Sequence, residues 1–133
     1  MFNFEDINFI AVLIAAVAKF IVSGLWFSKF IFANDWLIET KLKIEDLGSP
    51  RNAMIIAFLS NLLFAFTLAI ILSIMNLDMR TSLGLAVIMA IGITGAQTAP
   101  SFAFEGRSLR LYLIYASQYV VEFITVTLIL MLM

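Results

Sequence analysis

The sequence predicts an all-α fold in which four transmembrane helices pack as one bundle. Of the 133 residues, 63% are hydrophobic and only 13% are charged, whereas a soluble domain has about 45–50% apolar and about 25% charged residues. Four apolar runs are each long enough to cross a bilayer as a helix, which takes about 20 residues. Strands of a membrane barrel would be about 10 residues long and would alternate in polarity, which these runs do not. We therefore expect lipid to cover most of the surface.

The first run covers residues 7–32. Glu5 and Asp6 precede it and Lys19 lies inside it, so it lacks the basic start and the uninterrupted apolar centre of a cleavable signal peptide. We expect this run to be the first membrane span.

The segment over residues 34–50 is the one sizeable polar stretch between spans. We favour a short helix at the cytoplasmic interface, with Trp26 and Trp36 as aromatic anchors at the membrane surface. A flexible loop is the alternative. Ser49 predicts a helix N-cap and Pro50 the first helical position of the second span, because proline lacks the amide hydrogen that a first turn leaves unpaired.

The other three spans are predicted over residues 53–75, 82–104 and 109–133. The links between them are short, so consecutive spans should form antiparallel hairpins. Gly106, in the last link, suits the left-handed conformation that often ends a helix.

The basic residues of the loops predict the orientation, since Lys and Arg concentrate on the cytoplasmic side. Arg80 is the one basic residue near the link between spans two and three. Six others lie in or near the remaining two loops: Lys29, Lys41, Lys43, Arg51, Arg107 and Arg110. This asymmetry predicts that those two loops are cytoplasmic and that both termini are outside.

Lys19 and Glu122 are ionisable residues inside otherwise apolar spans. One such group at a helix centre costs roughly 2.5–3.5 kcal/mol on insertion scales. At the helical rise per residue, Lys19 lies about 18 Å from the outer end of its span and Glu122 about 16 Å from that of the fourth. The two residues are therefore at the same depth. We expect either a structural ion pair, within one chain or between subunits, or a proton or cation site.

Further polar residues form a seam at this level. On the fourth span, four residues recur with the spacing of a single helix face: Tyr115, Gln118, Glu122 and Thr125. On the first span, Ser23 continues the line of Lys19.

Spans two and three contribute Asn61 and Gln97. They lie about 21 Å and about 22 Å from the outer ends of their spans, so we expect that they can meet each other just below the charged pair. Polar residues also form hydrogen bonds between membrane helices, and each contributes roughly 0.6–2 kcal/mol. Such a bond is the simpler role for Asn61.

Span three contains Gly92, Gly95 and Pro100 within one short stretch. Proline removes a backbone donor and can free the carbonyl of Ala96. Interrupted helices of this kind bind ions or substrates in transporters. Close packing of small residues against a neighbouring helix, with a mild kink, gives the same composition, and we favour that interpretation.

Two stretches resemble the motifs of a known family. The stretch GLWFSKFIFANDW (24–36) contains a Gly-x-Trp-aromatic-Ser motif, and FAFEGRSLRLYLIYASQY (102–119) contains a Phe-Glu-Gly-Arg turn leading into the last span. Both are similar to the hallmarks of the small membrane proteins catalogued as domain of unknown function 1761. The resemblance implies a four-span membrane protein with no established activity. Lys19 and Glu122 stand where the family would have apolar or small residues.

The composition also bears on function. Cysteine and histidine are absent, which excludes disulfides, thiolate and histidine metal sites, and nucleophiles activated by histidine. The net charge of −1 provides no basic footprint for nucleic acid. We expect a non-catalytic protein with no cofactor or metal, located in the cytoplasmic membrane of a prokaryote. It is either a homo-oligomeric channel or transporter for protons, cations or a small polar solute, or an accessory subunit of a larger membrane complex.

Overall fold

The computed structural model describes residues 3–133, apart from the side chain of Ile44. These residues form helices and turns and no strand. Four helices are long and apolar enough to cross a membrane: Phe9–Trp26, Pro50–Met75, Met79–Phe104 and Leu109–Leu132. The predicted all-α fold with four spans is confirmed.

Local capping explains where three of these helices begin. The first helix, α1 (Phe9–Trp26), follows Asn8, whose side chain accepts a hydrogen bond from the Ala11 amide at 3.0 Å. The predicted Ser49 cap and first-turn Pro50 are confirmed at the start of α3 (Pro50–Met75). The last helix, α6 (Leu109–Leu132), is capped by Ser108. These caps pair amide groups that the first helical turn leaves without partners.

The connection between spans one and two contains a helix shorter than the polar segment. The first span ends at Trp26 rather than at residue 32, and turns lead to α2 (Ala33–Thr40). Helix α2 ends because Lys41 adopts a left-handed backbone conformation, with φ of 59°. A single 3₁₀ turn, Ile44–Asp46, follows. The expected short helix is thus present over the first half of the segment.

The third span is one continuous helix with a widened turn in its middle. It consists of α4 (Met79–Met89), a π-helical segment (Ala90–Gly95) and α5 (Ala96–Phe104), which contains Pro100. The expected irregularity therefore lies mainly before the proline rather than at it. The link after α5 turns at Gly106, whose φ of 68° confirms the predicted left-handed position.

Helix α6 is the centre of the bundle. It packs along α1 on one side and along the third span on the other, and α1 also packs along α3. Small buried residues of α1 and α3, Ala15, Ala16 and Ala65, let these backbones approach closely. A short turn connects α3 to the third span. Between these two helices lies an open groove of about 440 Å³. Large apolar side chains are exposed on every span, as a bilayer-facing surface requires.

Candidate functional site

A buried ion pair lies near the middle of the bundle, between α1 and α6. The Lys19 Nζ is 3.0 Å from the Glu122 Oε2, and the two side chains are only 13% and 5% exposed. The pair forms within one chain, which is one of the two arrangements that the sequence left open. Since an isolated charge at this depth is strongly unfavourable, each group requires the other.

Each partner of the pair has additional hydrogen bonds. The other carboxylate oxygen, Oε1, accepts from the Ser23 hydroxyl at 2.6 Å and from the Gln118 amide at 2.7 Å. The ammonium group of Lys19 donates to the Asn61 Oδ1 at 2.8 Å and lies 4.8 Å from the centre of the Phe64 ring. We call Lys19, Ser23, Asn61, Gln118 and Glu122 the polar cluster.

Helical spacing explains how the polar cluster forms. Lys19 and Ser23 are four residues apart on α1, and Gln118 and Glu122 are four residues apart on α6, so each pair lies on one helix face. Asn61 joins from α3 because α3 packs along α1. Three spans therefore converge on one carboxylate and one ammonium group.

Two buried polar atoms of the cluster have no hydrogen-bond partner within the described part of the chain. They are the Asn61 Nδ2 and the Gln118 Oε1. An unpaired polar atom is expensive in an environment of low dielectric constant. One donor and one acceptor beside a charged pair are the groups that a water molecule or a small polar solute would bond.

The structure does not bring the rest of the predicted seam into this cluster. Gln97 is exposed on the outside of the bundle, and Asn61 bonds to Lys19 instead. The expected contact between Asn61 and Gln97 is therefore wrong. Thr125 donates to the Val121 carbonyl of its own helix, and Tyr115 belongs to a second group of residues at the end of the bundle.

The glycines of span three have different surroundings. A Cβ on Gly92 would meet nothing within 4 Å, so no other helix of the described chain packs closely at that position. Gly95 is buried, and a Cβ there would lie 3.2 Å from the Ala90 carbonyl and 3.3 Å from the Tyr112 hydroxyl. That hydroxyl donates to the Gly95 carbonyl at 2.7 Å. Gly95 is thus where α6 approaches the π-helical segment, whereas Pro100 is exposed.

The two tryptophans bond to α6 rather than only facing the membrane surface. The indole of Trp26 donates to the Ile114 carbonyl at 3.0 Å. The indole of Trp36 donates to the Tyr115 hydroxyl at 2.8 Å. Both indoles are partly buried, and each ties the region around α2 to the first turns of α6.

Two aromatic residues next to the polar cluster were not expected from the sequence. The rings of Phe64 and Phe123 meet edge to face at 4.7 Å, and both line the groove between α3 and the third span. Phe64 therefore contacts the Lys19 ammonium group and also lines that groove. The sequence has thirteen phenylalanines, and nothing in their spacing singles out these two.

Within residues 3–133, no three Asp, Glu, His or Cys side chains are close enough together to hold a metal ion. Residues 10–131 match the family model described as "Protein of unknown function (DUF1761)". No curated protein and no solved structure matches the chain.

Proposed function

The chain belongs to the DUF1761 family of proteins of unknown function, and we propose that it is a small homo-oligomeric membrane transporter or channel. The polar cluster would be the point at which a proton, a cation or a small polar solute is handled. One observation carries this proposal: a buried carboxylate and ammonium pair lies at mid-span beside an unpaired amide donor and an unpaired amide acceptor. Ionisable residues inside membrane spans generally mark pathways or relays.

The groove between α3 and the third span supports the same proposal. Phe64 lines it, and the Lys19 ammonium group lies 4.8 Å from the centre of the same ring. Rotation of one aromatic side chain would therefore open the polar cluster to the groove. Hydroxyl groups of Ser60, Thr67 and Thr94 also line the groove.

The small size of the bundle is the reason for proposing a homo-oligomer. A four-helix bundle has little internal volume for a pathway, so we propose that copies assemble around a shared one. We also propose a non-catalytic role, because the sequence has no cysteine or histidine. The proposed location is a prokaryotic cytoplasmic membrane, with both termini outside and α2 on the cytoplasmic side.

The test is flux through proteoliposomes that contain the purified protein. Entrapped dyes would report proton or monovalent cation entry under an imposed membrane potential. We expect flux above that of protein-free liposomes, and we expect Glu122→Gln to abolish it while protein insertion is unchanged. If wild-type liposomes conduct no better than empty ones for protons, cations and small polar solutes, the transport proposal fails.

A second candidate is an accessory subunit of a larger membrane complex, with the open groove between α3 and the third span as a contact surface. In this case Lys19 and Glu122 would only hold the helices together. Mass measurement of the particle extracted in native lipid separates the two candidates. A multiple of 14.9 kDa supports the homo-oligomer, whereas a much larger particle with other chains supports the subunit.

A further inference from the structure

Two cavities adjoin at the end of the bundle where α1 and α5 end and α6 begins. The first, of about 460 Å³, is apolar, and its lining is aromatic and aliphatic: Phe27, Ala33, Trp36, Leu37, Leu47 and Tyr115. The second, of about 420 Å³, contains charged groups, among them Lys41 and Arg107. Trp36 and Tyr115 line both cavities. We propose that they form one phospholipid-binding site, with an acyl chain in the apolar cavity and the phosphate beside Lys41 and Arg107.

The wall between the two cavities is held by contacts on several sides. The Trp36 indole donates to the Tyr115 hydroxyl at 2.8 Å, and the Phe27 ring lies 6.2 Å from the Trp36 ring and 5.4 Å from that of Tyr115. Phe102 packs on the other side of Tyr115 at 5.4 Å. Because the Tyr115 oxygen accepts from Trp36, its own hydrogen is available to a ligand oxygen. The site is therefore preformed, which lowers the entropy lost on binding.

The salt bridges around the polar cavity decide which of its charges is left for a ligand. Glu39 accepts a hydrogen bond from Ser108 and faces Arg110 at 3.7 Å. Glu105 pairs with Arg107. These salt bridges also use the charges of Arg107 and of Arg110, which pairs with Asp35 as well. Among the charged residues that line this cavity, Lys41 is therefore the one whose charge no ion pair within residues 3–133 offsets.

Lys41, in contrast, makes no ion pair with any residue in the described range 3–133. The Arg107 guanidinium is fixed 3.8 Å above the Phe102 ring, so it presents its donors in a set direction. A lysine point charge beside a planar guanidinium is a common arrangement for binding phosphate oxygens.

The position of the site favours a lipid over a soluble phosphate compound. The helices that are long and apolar enough to cross a membrane end at Trp26 and Phe104 and begin again at Leu109, so this end of the bundle lies at the boundary between hydrocarbon and headgroups. A ligand that fills both cavities must be apolar in one part and anionic in the other. A phospholipid has that composition and is already concentrated at this level.

The test uses the full chain, purified in neutral detergent and freed of lipid by extensive exchange. Short-chain phosphatidylglycerol is titrated in, and the rise in Tm reports binding. Lys41→Gln should weaken the apparent affinity about tenfold, as expected for the loss of one charge-assisted contact. Lys43→Gln, a change at an exposed lysine outside the cavities, is the control and should bind like the wild type. Ala33→Phe, which fills the apolar cavity, should weaken binding without removing a charge.

Three outcomes would overturn the proposal. If Lys41→Gln binds phosphatidylglycerol with the wild-type affinity, Lys41 does not contact the phosphate. If Ala33→Phe binds it with the wild-type affinity, the acyl chain does not occupy the apolar cavity. A rise in Tm of the same size with glycerol phosphate would show that a soluble phosphate compound is the ligand. Because Lys41 has no ion pair within residues 3–133 to lose, its variant should fold.

Discussion

The ion pair predicts that Lys19 and Glu122 are energetically coupled. Lys19→Met removes the only partner that the Glu122 Oε2 has among residues 3–133, although Ser23 and Gln118 still donate to Oε1. Glu122→Gln keeps an oxygen for those two donors, but it turns an amide NH₂ towards the Lys19 ammonium group. Breaking a buried pair on one side typically destabilises by about 3–5 kcal/mol. Because partial hydrogen bonding remains in both cases, we expect each single change to lower the free energy of unfolding by about 3 kcal/mol.

The double variant, Lys19→Met with Glu122→Gln, leaves no buried charge. If the sites were independent, its loss would be the sum, about 6 kcal/mol. We expect a loss closer to that of one single variant, about 3 kcal/mol, which corresponds to a coupling of about 3 kcal/mol at the upper end of measured contact pairs.

The assay is reversible unfolding in mixed micelles with an increasing fraction of denaturing detergent. Fluorescence of the two tryptophans reports the transition, since both indoles bond to α6. Lys43→Met, which removes an exposed lysine, controls for the loss of a positive charge alone and should change stability little. Single losses that simply add in the double variant would refute the reasoning, because the two groups would then not stabilise one another.

Three further predictions concern the fold. Gly95→Leu should lower stability by about 2 kcal/mol or more, because the larger side chain overpacks the contact with α6. Gly92→Leu is the control and should unfold like the parent, since nothing lies within 4 Å of a Cβ there. Equal thermal unfolding of the two variants would exclude a close approach at Gly95. Gly106→Ala should lower stability by about 1 kcal/mol because its φ is 68°, and unchanged denaturation would contradict that conformation. Cysteines at Asn3 and Gly48, both exposed, should react with a membrane-impermeant reagent only at Asn3 in intact cells; labelling of Gly48 there would reverse the proposed topology.

The sequence was sufficient for features that depend on local rules. The lengths of the second, third and fourth spans follow from apolar runs, whereas the first helix ends six residues before its run does. The caps at Ser49 and Gly106 follow from residue type and position. Depth was also accessible, because a constant rise per residue places Lys19 and Glu122 at the same level. Those features require no knowledge of which helices are neighbours.

The rotation of each helix about its axis was not accessible in the same way. Asn61 turns inward to Lys19, whereas Gln97 turns outward. Gln97 lies two residues after the end of the π-helical segment Ala90–Gly95, and a π turn contains more residues than an α turn. The segment therefore changes the side of the helix on which every later residue lies. Nothing in the local composition specified where this change would occur. The bonds of Trp26 and Trp36 to α6 likewise depend on tertiary packing that hydropathy does not encode.

Flux through the double variant, Lys19→Met with Glu122→Gln, tests most directly whether the polar cluster is the working site. This variant should be no less stable than either single variant, so the activity of its folded form separates a role in transport from a role in folding. The account predicts a folded, inserted protein whose proteoliposomes conduct no more than protein-free ones, beside a wild type that conducts. A stable double variant that retains the wild-type flux would contradict the account, since the charges would then only hold the helices together.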